Sequence, residues 1–217
     1  MKTRSEVNPK AIGLIGHSEG GVIAPMVAAR DRGIAFIVMM AGSGVSGDEV
    51  LVAQNVLIAE AMGASHERAE AQGARIRALT EIVKQEADAP TREKKMRDLL
   101  AGQAPPRQID VQVKSLNTPW FRYFLTYDAA PALRQVTCPV LAINGERDLQ
   151  VPPKQNLPAI RKALESSGNT RIEVTELPGL NHLFQTAKTG SPSEYAQIEE
   201  TMSPLALDTI ARWILKQ

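Results

Sequence analysis

The chain has 217 residues, 43% of them hydrophobic and 23% charged, with a formal net charge of +1. That balance is ordinary for a globular protein and gives no electrostatic case for nucleic acid or an anionic membrane surface as a partner. No apolar run approaches the ~20 residues of a membrane span, the opening MKTRSEVNPK lacks an apolar leader core, and the lone cysteine, Cys138, has no partner for an internal disulfide, so a cytoplasmic protein is expected.

The first predicted element is a buried strand, Ala11–Ile15. It runs into the turn Gly16-His17-Ser18-Glu19-Gly20 and then a helix of small apolar residues, Gly20–Arg30. A second apolar run, Ala35–Met40, reads as another strand. From Ala41 to Val136 the sequence holds no convincing strand. Helical periods cover Asp48–Met62 and Ser65–Ala87, where Ile76, Leu79 and Val83 fall on one face. Shorter helices are expected at Thr91–Leu100 and Gln108–Leu116. Thr118-Pro119 then caps an aromatic-rich segment, Trp120–Tyr127. Cys138 precedes Pro139 and is expected to pack in the interior. Strands return at Val140–Asn144 and Arg171–Leu177, separated by a helix, Pro153–Ser167, that Gly168 stops. Ser203 and Pro204 read as the cap and first residue of a last helix, Leu205–Leu215.

The strands are continuous apolar runs that alternate with helices, which predicts an α/β fold with a parallel sheet. Residues 1–45 and 136–217 supply that core, and 46–135 form a helical insertion, expected to cap a site. A surface subdomain that only stabilises is the alternative. Trp120, Phe121 and Phe124 are candidates for an acyl pocket, or else they form the insertion's own core.

The chemistry centres on Ser18. Glycine on either side of a serine, between a strand and a helix, is the pattern of a nucleophile elbow, where a tight turn brings backbones together. The helix N-terminus beside it favours developing negative charge. A serine nucleophile needs a base, and the chain offers three histidines. His17 lies inside the elbow and reads as packing or a supporting contact; His66 begins a charged helix and reads as surface. His182 follows the last strand, at the end where parallel sheets place their sites, and is the expected base. The carboxylate that orients it is expected at Asp148, after the neighbouring strand, with Glu146 as the rival and Asp128 read as a helix cap. Three scattered histidines and one cysteine offer no cluster for a metal.

GHSEGGVIAPMVAAR, FIVMMAGSGVSGDEVL, WFRYFLTYDAAPAL, PVLAINGERDLQVPP and LPGLNHLFQ together resemble bacterial α/β-hydrolases of the serine carboxylesterase type, which are related to the serine aminopeptidase and prolyl oligopeptidase group. The resemblance runs from about Asn8 to the C-terminus. It implies an α/β-hydrolase fold with Ser18 as nucleophile, Asp148 as acid, His182 as base and the Glu19 backbone N–H as one oxyanion donor. It also implies hydrolysis of small carboxylic esters, often short-chain, without a cofactor. Peptidase or thioesterase chemistry on the same triad is the alternative.

The resemblance departs at the front. Family members place several strands before the elbow, and here only Met1–Lys10 precede the first strand. The expectations are a fold lacking its N-terminal strands, the loss of the loop that supplies a second oxyanion donor, and reduced or absent catalysis. The first strand would also be an unpaired edge, open to self-association.

Overall fold

The computed structural model describes residues 3–217. Met1 and Lys2, where the stretch read for a leader begins, lie outside the described residues. In chain order the elements are β1 (Leu14–His17), α1 (Glu19–Arg30), β2 (Ile37–Met40), α2 (Gly47–Ala61), α3 (His66–Gln85), α4 (Ala89–Leu100), α5 (Pro106–Leu116) and α6 (Pro119–Thr126). A single turn, α7 (Ala130–Leu133), leads to β3 (Val140–Gly145), α8 (Pro153–Glu165), β4 (Ile172–Leu177), a 3-10 turn at Pro192–Gln197 and α9 (Pro204–Ile214).

Two compact units result. The chain up to Val45 joins Asp128–Gln217 in one, and Ser46–Tyr127 forms the other. The division falls earlier than the sequence suggested: residues 128–135 go with the sheet, because α7 packs against α1 and α8.

In the first unit the four strands form one parallel sheet in the order β1-β2-β3-β4. Leu14 stands opposite Ile37, Ile37 opposite Val140, and Val140 opposite Ile172. The central strands β2 and β3 are buried at every residue, which is why they read as unbroken apolar runs. Side chains alternate between the two faces. Val38, Met40, Leu141 and Ile143 pack with Leu180, Phe184 and the α9 residues Ala206, Ile210 and Trp213. Phe36 meets Trp213 edge-on at 5.9 Å. β1 and β2 carry α1, and β3 and β4 carry α8. Strand β1 starts at Leu14 rather than Ala11, because the ladder to β2 begins with the Leu14–Ile37 pair. Cys138 is half-buried rather than interior, and burial raises its thiol pKa.

In the second unit, helix starts follow capping chemistry. Ser46 donates to Glu49 ahead of α2: its N–H and Oγ reach Oε2 at 3.3 and 2.8 Å. Ser65 and Thr118 accept from the third amides of α3 and α6. Asp88 does the same for α4, taking the Thr91 amide at 3.0 Å, so that helix begins at Ala89, earlier than the sequence reading. The core joins Leu79, Val83, Met96, Leu100, Ile109, Val113 and Leu125, with Phe121 and Phe124 packed against it. Arg92 is buried here, its guanidinium bound by Asn117 Oδ1 and the Glu86 and Ala87 carbonyls. Among the described residues, no helix is long and apolar enough to cross a membrane.

Candidate active site

Ser18 stands between β1 and α1 with φ 54° and ψ −115°. This is a costly conformation for a residue with a side chain, and such strain persists only where the surroundings impose it. They do so here. The Ser18 N–H donates to the Met40 carbonyl at 2.8 Å, and the Gly21 N–H donates to the Ser18 carbonyl at 2.9 Å. The Ser18 side chain makes no capping bond to α1, so it is not a simple helix cap. A Cβ at Gly16 would lie 1.9 Å from the Gly20 carbonyl oxygen, and one at Gly21 would lie 2.7 Å from the Gly42 Cα. A Cβ at Gly20 would meet nothing within 4 Å. Glycine is therefore required before the serine and at the third position after it, whereas the pattern's second glycine faces open space.

Asp148 and His182 come together in the same unit. His182 Nδ1 lies 2.9 Å from Asp148 Oδ2, with 5% and 1% of the two residues exposed. The carboxylate is held on all sides. Oδ1 accepts from the Gln150 and Val151 amides at 2.9 and 2.8 Å, and Oδ2 also accepts from Asn144 Nδ2 at 3.2 Å. Four donors therefore surround its two oxygens. A carboxylate can only accept, so His182 Nδ1 carries a proton and Nε2 is left as the basic nitrogen.

The two loops interlock. Glu146, the rival acid, instead accepts the Gly179 amide at 2.7 Å and so ties down the turn ahead of His182. The Arg147 amide donates to the Leu180 carbonyl at 2.8 Å. A Cβ at Gly145 would stand 2.2 Å from that carbonyl oxygen, so glycine permits the approach. Within the His182 loop, Asn181 is fully buried and its Oδ1 takes the Leu183 and Gln185 amides, each at 2.9 Å. Sequence reasoning missed Asn144, Asn181 and this role of Glu146. For the two asparagines the one signal was polarity inside apolar surroundings, which does not name a partner.

His17 lies against the same loop. Its Nε2 is 2.8 Å from the His182 carbonyl oxygen, and the two rings are 4.8 Å apart. Burial lowers its pKa, and the neighbouring His182 adds to that; the carbonyl and Asp148 act in the opposite sense. His66, at the start of α3, is exposed and pairs with Glu60 at 2.7 Å, which raises its pKa. Since the folded His17 binds a proton less readily than the unfolded chain, it takes nothing from stability above the unfolded pKa of about 6.5. Stability is lost as pH falls from there through the folded value. The urea midpoint is expected to fall between pH 7.5 and 5.5 more steeply in the wild type than in His17→Gln. Comparing the two proteins cancels His66, whose pairing works in the other direction.

Glu19 is the first residue of α1, beside Ser18. Trp120, Phe121 and Phe124 lie in the second unit and form one aromatic cluster. Trp120 stacks on Phe124 at 5.6 Å and Phe121 sits 6.0 Å from Phe124. Phe121 and Phe124 back onto that unit's core, while Trp120 is 54% exposed. Among the described residues, no three His, Cys, Asp or Glu side chains are grouped to hold a metal ion.

The sequence matches the alpha/beta hydrolase family over residues 3–198. The chain belongs to that family. This α/β-hydrolase is similar to solved structures at low identity. One is the proline iminopeptidase of Mycobacterium smegmatis, at 16% identity and TM-score 0.47 over 93% of this chain and 64% of that one. Another is an esterase of Pyrococcus furiosus, at 14% and 0.40 over 94% and 53%. A third is acetyl xylan esterase 1 of a Thermoanaerobacterium species, at 14% and 0.47 over 99% and 48%. The chain thus spans between 48% and 64% of the length of these three proteins. No curated protein shows significant similarity to it.

Proposed function

We propose that this α/β-hydrolase is a serine hydrolase that cleaves small carboxylic esters, of short acyl chain, through an acyl-enzyme. Ser18 Oγ attacks the ester carbonyl and His182 Nε2 takes its proton. His182 then protonates the leaving alcohol, and water releases the acid by the same steps. Asp148 holds the His182 tautomer and stabilises the imidazolium. The Glu19 backbone N–H is one donor to the oxyanion, at the positive end of the α1 dipole. No cofactor takes part.

The observation that carries this reading is the buried Asp148–His182 pair at 2.9 Å, in the same compact unit as a serine held at φ 54°. A fluorophosphonate probe tests it, because phosphonylation needs an activated serine. Rapid, stoichiometric labelling located on Ser18 by peptide mass spectrometry is expected. An unlabelled native protein would leave a non-catalytic module as the better account. A panel of p-nitrophenyl esters against aminoacyl anilides and thioesters separates the ester reading from the peptidase and thioesterase alternatives.

We also propose self-association along β1. This strand is an edge of the described sheet, and Ile15 on it is 56% exposed, with Ile23 and Val27 of α1 also exposed. An apolar edge offers unpaired backbone groups to a second copy. Light scattering at micromolar concentration is expected to give at least a dimer, and Ile15→Lys to give a monomer. A monomeric wild type would rule this out.

A further inference from the structure

We propose that His17 is a positioning residue for His182, fixing the base to the strand that carries the nucleophile. The inference rests on the serine-hydrolase reading above. The His182 carbonyl can only accept a hydrogen bond, so His17 Nε2, 2.8 Å away, carries a proton whether the ring is neutral or charged. Asp148 fixes the other end of the same residue through ring Nδ1. His182 is therefore held at two points, its ring from the loop after β3 and its main chain from β1. The His17 ring also packs on the His182 ring, at 4.8 Å and 46°, and meets Phe184 edge-on at 6.0 Å.

The neighbourhood explains why such a clamp is useful. The His182 loop turns through Phe184, whose φ is 59° although it is fully buried. Asn181 satisfies the Leu183 and Gln185 amides from inside the loop. The His17 bond instead reaches the His182 peptide from outside it. His17 and Ser18 are adjacent on one chain, and the Ser18 amide is pinned to Met40. A small displacement of β1 then moves the nucleophile and the clamp together, so the spacing between nucleophile and base is preserved. Ties to the chain after β3, through Glu146, Arg147 and Asp148, do not supply that coupling, and misplacement on the order of 1 Å is costly to catalysis. His17 also borders a cleft of about 450 Å³, lined with it by Leu183, Gln185, Ile198, Glu200 and Met202.

The test uses two substitutions and one spectroscopic measurement. His17→Phe keeps a ring and removes the donor; His17→Gln keeps an N–H donor and removes the ring. With p-nitrophenyl butyrate, His17→Phe is expected to lower kcat about tenfold or more with KM little changed. His17→Gln is expected to recover most of that loss. Wild-type kcat in His17→Phe, or an equal loss in both variants, would overturn the proposal and leave His17 as packing. Nitrogen-15 NMR of the Ser18→Ala protein reads the same contact without any turnover. His17 should be the Nε2–H tautomer and His182 the Nδ1–H tautomer at pH 7.5. An Nδ1–H tautomer on His17 would also overturn the proposal. If the wild type resists the fluorophosphonate while the tautomers are as expected, the serine-hydrolase reading fails and the clamp stands as a structural contact.

Discussion

Ser18→Ala is expected to lower kcat for p-nitrophenyl butyrate by about 10⁴–10⁶, down to the rate of the remaining site. Asp148→Asn is expected to fall almost as far, by about 10⁴. The second value follows from the hydrogen bonds around the carboxylate. Oδ1 accepts two backbone amides, and Oδ2 accepts Asn144 and His182. A carboxamide has one acceptor oxygen and one NH2. Whichever way it turns, the NH2 faces two donors. Facing the Oδ2 side, it drives His182 into the tautomer with a proton on Nε2, which cannot take the serine proton. Facing the backbone, it leaves two buried amides unsatisfied, at about 1–3 kcal/mol each. Asp148→Asn is thus expected to lose stability as well as rate, whereas Ser18→Ala keeps the Cβ that strains the turn and is expected to lose rate alone. Steady-state kinetics with thermal unfolding on both proteins separates these effects. An Asp148→Asn protein with near wild-type kcat would point to another acid and end the triad assignment.

The second large effect concerns the turn itself. Gly16→Ala is expected to destabilise by about 1–3 kcal/mol through overpacking, which for this size lowers Tm by roughly 2–12 °C. It is also expected to remove fluorophosphonate labelling. The new Cβ would sit 1.9 Å from the Gly20 carbonyl oxygen, a backbone atom with no rotamer to move it away. Gly20→Ala is the contrast. Its Cβ meets nothing within 4 Å and it lies in the first turn of α1, where alanine is the better helix former. Unchanged or slightly raised Tm is expected, with labelling retained. The two glycines look equivalent in the sequence pattern, so equal damage from both substitutions would contradict the steric account.

That contrast marks the boundary of what the residues disclose by themselves. The strands were legible because β2 and β3 are buried on both faces and, Asn144 apart, carry no polar side chain. The elbow was legible because a strand, a turn and a helix follow one another locally. The start of β1 was not, since an edge strand begins where its neighbour's register begins, and Ile37 sets that. Asp148 and His182 could be placed on the ends of neighbouring strands, and the structure brings their side chains together. The position of residues 128–135 depended on α7 packing against α1 and α8, which no local pattern encodes. His17 was read as packing or a supporting contact. Its actual partner is a backbone carbonyl 165 positions along the chain, and carbonyls carry no sequence signal.

The sheet order has a consequence during synthesis. Strand β2 is Ile37-Val38-Met39-Met40, all buried, and its inner neighbour begins only at Val140. Roughly a hundred residues separate them, which a ribosome adding about 5–20 residues per second makes in on the order of 5–20 s. For that interval β1, α1 and β2 are complete while one edge of β2 has nothing to pair with. Four apolar residues on an open strand are a hazard in a crowded cell. The helices of Ser46–Tyr127, rich in local contacts, can fold in the meantime. The edge of β2 is thus open for as long as the insertion between the two strands is being made.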